Sequence, residues 1–294
     1  MPTAARERTG IMLCYEYTEK RLLKYPKPWL VQPKLEGDRC RAVWDPELGW
    51  NLFSSTNMIR KMVPHINREL WEIPWGSDFE ELDGEFYKHG MRHEDIRSIV
   101  SRTVDQHPNY SDIEYHIFDY PITLLCNYER NSYLQRLSGS EKIKIVQTKL
   151  CNTLLEVEEA YREFLDHGYE GIVVRNPKGL YKRSRSTDLM KLKPRQELEA
   201  LVEAVFQQKD KYGVPKNALG GVLCYHSGSD RKFEVGTGFT KEERETFWAH
   251  PELILGKLIE VEFQDWTETS IKMQSYKRIV GNYEDPLVRE EVML

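Results

Sequence analysis

The sequence predicts an α+β fold in two parts: antiparallel sheets with flanking helices through residue 195, then a smaller β-barrel over 196–294. Three observations carry this expectation. A chain of 294 residues is long enough for one large domain or two ordinary ones. Up to Pro194, short apolar or alternating runs that read as strands are interleaved with segments whose apolar residues recur at helical spacing. Beyond Pro194 the composition shifts to short strands separated by turn signals, with a single helical segment.

The bulk numbers exclude several classes. A hydrophobic content of 40% with 30% charged residues fits a soluble globular protein, and the many tyrosines and tryptophans argue against disorder. No apolar run approaches the ~20 residues of a membrane span. The first ten residues carry charges with no apolar stretch behind them, so no secretory signal is expected. Cys14, Cys40, Cys126, Cys151 and Cys224 are odd in number and none form a C-x-x-C pair, which argues against a disulfide framework or a zinc site. A reducing, cytoplasmic compartment is the natural expectation. The net charge of −5 describes the whole surface, whereas phosphate binding needs only a local positive face. Residues 175–195 offer such a face, with eight basic residues against the single acid Asp188.

In chain order, residues 11–28 read as an irregular or partly helical lead closed by Pro26 and Pro28. Trp29-Leu30-Val31 is a buried strand that delivers Lys34. Residues 40–44 alternate as the next strand, and Pro46, Glu47 and Gly49 turn it back into 50–53. Ser54-Ser55-Thr56-Asn57 is a polar turn, and Pro64 starts a short helix. Residues 82–87 alternate like a strand in which Gly84 permits close backbone approach. Ile96, Ile99 and Val100 place a helix over 93–102, and 115–120 form a strand of aromatic weight. Residues 133–150 and 155–167 read as two helices, the second stopped by Gly168. Tyr169 leads into another buried strand through Arg175. The second part has strands at 201–205, 221–225, 232–235 and 258–263, turns at 211–215 and 227–229, and a helix from a Thr240 cap to Ala249. That set suggests a small barrel of OB type.

The stretch that organises the chemistry is Gln32-Pro33-Lys34-Leu35-Glu36-Gly37-Asp38-Arg39. A lysine straight after a proline at a strand end is displayed rather than packed, and Gly37 lets the backbone turn. Arg39 brings a fixed cation back toward Lys34. Such a cation, in a desolvated setting, can lower a lysine pKa and free the neutral amine as a nucleophile. Taken alone, these eight residues also fit a solvated charged turn. Glu170, at the mouth of its strand, is a carboxylate suited to Mg²⁺. Lys191 and Lys193, two apart on a strand, face the same side and can reach one phosphate group.

The stretch resembles the K-x-D-G-x-R signature of the covalent nucleotidyltransferases: ATP-dependent DNA ligases, RNA ligases and mRNA capping enzymes. Glu36 stands where that signature has aspartate. Asp83-Gly84-Glu85 is similar to the family's D-G-E element, and Tyr115-His116-Ile117-Phe118-Asp119 to its Y-x-x-F-D element. Glu170-Gly171-Ile172-Val173-Val174-Arg175 resembles E-G-[IV]-[VM]-[VI]-[RK], and Lys191-Leu192-Lys193 resembles K-x-K. Val235-Gly236-Thr237-Gly238-Phe239 is not a P-loop, since no G-K-[ST] follows, but resembles a segment in the OB domain of DNA ligases. Order and spacing over 29–263 are most similar to the compact ATP-dependent DNA ligases of bacteriophages and large DNA viruses.

The resemblance implies a nucleotidyltransferase (adenylation) domain over 1–195 and an OB-fold β-barrel over 196–294. It implies an enzyme that seals 3′-hydroxyl/5′-phosphate nicks in duplex DNA through a covalent lysyl-AMP and a DNA-adenylate. Lys34 is then the nucleophile. Gln32, Leu35, Arg39, Glu85, Phe118, Lys191 and Lys193 bind the nucleotide, with Glu85 on the ribose and Phe118 on the adenine. Glu170 binds Mg²⁺ or another divalent cation, and Ser54 and Arg185 meet the DNA 5′-phosphate. ATP is the expected nucleotide and nicked double-stranded DNA the expected partner, with no membrane and a monomeric chain. Ser55 stands where ligases carry an arginine, with Arg60 or Lys61 as substitutes. Where ligases close with R-x-D-K, Lys277 and Arg278 are the available cations, with Glu284 and Asp285 beyond. Residues 207–219 are the candidate for a DNA-encircling loop, and 194–199 for a hinge. The alternatives are an RNA ligase, a capping guanylyltransferase, or a catalytically degenerate nucleic-acid-binding relative.

Overall fold

The computed structural model describes residues 8–73, 80–226, 232–266, 271–272 and 274–282. The chain divides into two units, Met1–Lys193 and Pro194–Leu294. The first unit runs through β1 (Leu13–Glu16), α1 (Glu19–Leu22), β2 (Trp29–Lys34), β3 (Asp38–Asp45), β4 (Gly49–Ser54), α2 (Pro64–Glu72) and β5 (Glu81–Tyr87). It continues through α3 (His93–Val100), β6 (Glu114–Asp119), α4 (Asn127–Leu134), β7 (Ile143–Ile145), β8 (Lys149–Cys151), α5 (Leu154–Asp166), β9 (Gly171–Arg175) and β10 (Arg185–Leu192). Its strands form two five-stranded sheets, in the orders β1-β10-β9-β2-β8 and β4-β3-β5-β6-β7. The β1/β10 and β6/β7 pairs are parallel and all others antiparallel, so both sheets are mixed rather than antiparallel as the sequence predicts.

β2 shows why the lysine is placed where it is. Residues Trp29 to Pro33 are all buried, because β9 flanks the strand on one side and β8 on the other. β8 pairs only with Trp29, Leu30 and Val31, so Pro33 lies beyond its end, where a missing N–H costs no ladder bond on that side. The strand ends with Lys34 opposite Gly171. Helix α5 covers this sheet with Val157, Ala160 and Phe164, packed against Trp29, Val31, Ile172 and Val174. The helix opens where Thr153 Oγ1 accepts the Glu156 N–H at 3.2 Å, and Gly168 follows its end in the left-handed region (φ +80°). The second sheet buries Leu52, Leu82, Phe86, Tyr115 and Ile117 under α2 (Ile66, Leu70) and α3 (Ile96, Ile99, Val100).

A second expectation about the first unit is overturned as well. No helix covers 133–150: α4 starts earlier and stops at Leu134, and two short strands follow. The Glu129 carboxylate accepts the Cys126 N–H at 2.8 Å and so fixes the helix start. Ile143 and Ile145 alternate with lysines, a period-2 pattern that a long helical window absorbs. The lead segment is partly helical as expected, with α1 at Glu19–Leu22, but it also holds a strand, β1, whose partner β10 lies about 170 residues away in sequence and so leaves no local signal.

The second unit runs through β11 (Gln196–Lys209), β12 (Pro215–Tyr225), β13 (Lys232–Val235), α6 (Lys241–Ala249), β14 (Lys257–Phe263), β15 (Asp265–Trp266), β16 (Ile271–Lys272) and β17 (Ser275–Asn282). Its main sheet has the order β13-β12-β11-β14-β17, antiparallel throughout. The expected closed barrel is not observed. Among the described residues no ladder joins the edge strands β13 and β17, although the Tyr276 N–H donates to Thr237 O at 2.9 Å across that gap. The Thr240 cap is reciprocal: its Oγ1 accepts the Glu243 N–H at 3.2 Å and the Glu243 carboxylate accepts the Thr240 N–H at 2.7 Å.

Residues 207–219 are not a loop but the distal half of the β11/β12 hairpin, with Gln207 opposite Leu219 and Lys209 opposite Pro215. Of the segment 194–199, expected as a hinge, Gln196 to Glu199 are already paired with β14. Strand β17 carries Lys277 and Arg278, which the sequence leaves without structure. Lys277 lies within 3.9 Å of Glu197 and 3.7 Å of Glu262, and Arg278 pairs with Glu260 at 2.8 Å. The expected turn at 227–229 and the acids Glu284 and Asp285 lie outside the described residues. Among the described residues no helix is long and apolar enough to cross a membrane.

Candidate active site

Within the first unit, the end of β2 and the turn into β3 open onto a cleft. It is lined by Gln32, Lys34, Leu35, Arg39, Glu85 and Phe118, together with Cys14, Pro33, Val173, Arg175 and Leu189. Six residues read from three sequence elements, the 32–39 stretch, the strand with Glu85 and the strand with Phe118, therefore share one hollow. The turn that presents them depends on Gly37. A Cβ there would lie 2.1 Å from Phe86 O and 2.7 Å from Glu85 Cγ. Gly37→Ala is thus expected to cost roughly 1–3 kcal/mol by overpacking, and to lower nucleotide labelling along with the melting temperature. A thermal melt within a degree of wild type would contradict the close approach.

Lys34 is held by the strand beside it. The Glu170 N–H donates to Lys34 O at 3.2 Å, so the carboxylate sits next to the lysine across the β2/β9 pair. Lys34 Nζ lies 2.6 Å from Glu170 Oε2, and Lys193 pairs with Oε1 of the same carboxylate. Lys191 takes a different acid, Glu16, at 2.9 Å. The two lysines of the K-x-K element therefore start from different partners.

Arg39 does not face Lys34 as a free cation. Its Nε and Nη2 donate to the two oxygens of Asp83 at 2.7 and 2.5 Å, and its guanidinium lies 4.5 Å from the centre of the Phe118 ring. A second buried carboxylate, Asp119, accepts from Arg130 Nε at 2.8 Å and from Arg175 Nη1 at 2.5 Å. Arg175 Nε also donates to Gln32 Oε1 at 2.7 Å, and Gln32 Nε2 donates to Thr148 Oγ1 at 2.9 Å and Phe118 O at 3.3 Å. Gln32 is thus fixed behind Lys34 by both ends of its amide. Burial by itself would raise the Asp119 carboxyl, but Arg175 and Arg130 outweigh it and hold it below the usual range.

The sequence assigns no role to Asp83 and Asp119, which stand inside matched elements, to Arg175, which stands in both the basic run and the Glu170–Arg175 element, or to Arg130 and Tyr181. A signal exists for Asp83. On β5, Leu82, Gly84 and Phe86 face the core, so Asp83 and Glu85 share the other face. For β6 the simple alternation fails. Asp83 pairs with Asp119 but Gly84 with Ile117, so Phe118 is the extra residue of a bulge. That bulge puts Phe118 at the cleft and its neighbour Asp119 on Arg130 and Arg175.

Glu85 is the titratable outlier. Burial pushes its carboxyl up to about 7, against the opposing pull of Lys34 and Arg39. A carboxyl raised in the fold binds a proton that the unfolded chain has already lost above about pH 4.5. Its contribution to stability therefore falls as pH rises from there to about 7. Glu85→Gln is expected to melt above wild type at pH 8, with the gap closing by pH 5. Equal gaps at both pH values would show that Glu85 titrates normally.

The metal expectation rests on Glu170. Among the described residues no three His, Cys, Asp or Glu side chains converge. A lone carboxylate between two lysines, Lys34 and Lys193, fits Mg²⁺, an ion that keeps several waters and takes further oxygens from phosphates. Ser54 and Arg185 are not brought to the cleft. Ser54 is buried, and its Oγ accepts the N–H groups of Met58 at 3.1 Å and Thr56 at 3.3 Å. Arg185 is exposed at the start of β10, donating to Cys14 O beside the Tyr15 ring. Arg60, a sequence candidate for the absent arginine, pairs with Asp38 at 3.0 Å.

Comparison with known proteins is consistent in kind. The family model described as the ATP dependent DNA ligase domain matches residues 11–193. A DNA ligase of Enterobacteria phage T4 is 23% identical over 88% of this chain and 64% of its own length. A DNA ligase of Haemophilus influenzae is 28% identical over 81% of each chain. The chain thus spans less than two thirds of the phage relative. Among solved structures, a Lig E DNA ligase aligns with TM-score 0.65 at 23% identity, over 92% of this chain and 99% of that one, a likeness of fold.

Proposed function

The chain belongs to the ATP-dependent DNA ligase domain family, and on that footing we propose that it is an ATP-dependent DNA ligase sealing nicks in duplex DNA. The observation that carries the proposal is the convergence of Lys34, Glu85, Phe118 and Arg39 on one cleft, with Glu170 in contact with the lysine. In the first step Lys34 gives its ammonium proton to solvent, and Nζ attacks the α-phosphorus of ATP. A P–N bond forms, the bond to the β-phosphate oxygen breaks, and pyrophosphate leaves. Arg39 and Phe118 orient the base, and Glu85 the ribose. Lys193 and Lys191 exchange their carboxylates for phosphate oxygens. Glu170 would hold a divalent ion, which when bound would neutralise charge on the phosphates. In the second step a 5′-phosphate oxygen of the nick attacks the AMP phosphorus, and Lys34 leaves as the amine. In the third, the 3′-hydroxyl attacks the 5′-phosphorus, closing the strand and expelling AMP. Such steps depend chiefly on positioning and electrostatics.

In this reading residues 1–195 are the adenylation domain and 196–294 an OB-type domain. The bond between Tyr276 and Thr237, which brings the two edges of its sheet together, supports the latter. Arg185, exposed on the basic segment, is the better placed of the two 5′-phosphate candidates. Ser54, whose hydroxyl is taken up by its own turn, is the weaker of the two. The chain works as a monomer in a reducing, intracellular setting, in keeping with its five free cysteines.

The test is a substrate panel. Radiolabelled ATP and GTP are offered first, then nicked duplex DNA and RNA ends. Label from ATP alone, followed by sealing of the DNA nick, is the expected result. Label from GTP, or sealing confined to RNA, would replace the proposal with a capping enzyme or an RNA ligase.

A further inference from the structure

Asp83 is the hub of the cleft wall. It is fully buried and accepts three bonds: Arg39 Nε and Nη2, and the hydroxyl of Tyr181 at 2.6 Å. Tyr181 comes from a different part of the unit, the segment between β9 and β10. It is 3% exposed, and its oxygen also accepts the Met12 N–H at 3.1 Å. Arg39 reaches the same residue, its Nη2 donating to Met12 O at 3.3 Å. Tyr181, Asp83, Arg39 and Met12 thus form a closed ring of hydrogen bonds behind Phe118. The segment carrying Tyr181 is pinned beside it, since Arg183 holds Glu81 with both Nη atoms at 2.8 and 2.7 Å and donates to Gly10 O at 2.7 Å.

We propose that Tyr181 is a positioning residue for the nucleotide site, its hydroxyl fixing Asp83 and, through it, the Arg39 guanidinium against Phe118. The physical case is geometric. An arginine fork on one carboxylate can still pivot about the carboxylate's own χ angles. A third donor on Oδ2, anchored on another segment, removes that freedom without adding charge. Removing the hydroxyl leaves Asp83 ion-paired, so folding survives, but the guanidinium and the ring beside it lose their fixed geometry. Nucleotide binding should suffer more than the chemical step, because neither Tyr181 nor Asp83 lines the cleft or touches Lys34. The same contact joins the basic segment to the cleft wall, so movement of one is felt by the other.

The inference rests on the nucleotide-binding reading, and wild-type protein that takes up AMP secures that reading first. Tyr181→Phe is then compared with wild type in single-turnover AMP uptake across ATP concentration. The expected result is a KM for ATP raised on the order of three- to tenfold with the saturating rate within about twofold. Adding the change to Arg39→Lys should have little further effect, because the two act through one carboxylate. An unchanged KM, or independent multiplication of the two effects, would overturn the proposal. A second measurement keeps the hydroxyl: 3-fluorotyrosine at position 181, observed by ¹⁹F NMR. Its resonance should move when ATP binds without divalent metal. A resonance that stays in place while ATP binds would equally overturn it.

Discussion

Lys34→Ala protein is expected to take up no AMP, a loss on the order of 10⁴-fold or more for removal of a covalent nucleophile. The variant should remain folded. The Lys34 side chain is 22% exposed, and its carboxylate partner Glu170 keeps Lys193 when Lys34 is gone. No charge is thereby left buried without a counter-ion. Lys34→Arg separates the two roles of the residue, since it restores the cation beside Glu170 but offers a guanidinium in place of the nucleophilic amine. Both variants should fail alike. Label that persists on either protein would move the nucleophile elsewhere.

The second large effect is on stability. Asp119→Ala removes the carboxylate between Arg130 and Arg175, and both guanidinium groups are at most 4% exposed. Breaking a buried ion pair from one side costs about 3–5 kcal/mol, because the remaining charge is stranded. At about 2–4 °C per kcal/mol for a unit of this size, the melting temperature should fall by roughly 6–20 °C. Arg175 also orients Gln32, so nucleotide uptake should fall with it. The pH dependence has a definite sign. Asp119 is held below the usual carboxylate range, so its stabilisation is complete above the unfolded pKa, about 3.9. That stabilisation is lost as pH falls through the lower folded value. The variant should therefore approach wild type in acid and differ most near neutral pH. A constant difference down to pH 2 would deny the ion-pair origin.

What could be read from the sequence divides along physical lines. The strand under Lys34 was legible because burial on both faces leaves a continuous apolar run, and Pro33 falls past the last residue paired to β8. Lys34, Glu85 and Phe118 were legible as separate elements, but not the wall that joins them. That wall depends on a bulge at Phe118 and on buried carboxylates whose partners lie 44 and 56 residues away. Non-local pairing also hid β1. The helix expected over 133–150 failed because strands of three residues are too short to outweigh a helical window. Ser54 was legible as a turn residue, but its hydroxyl satisfies that turn's own backbone.

The central claim is that Lys34 carries AMP. Intact-mass spectrometry of the purified protein, before and after ATP with Mg²⁺, tests it most directly, with peptide mapping of any adduct. The account predicts a gain of one AMP on the peptide containing Lys34, and its disappearance when nicked duplex DNA is added. No gain, from protein shown to begin unmodified and folded, or an adduct mapped to another residue, would contradict it.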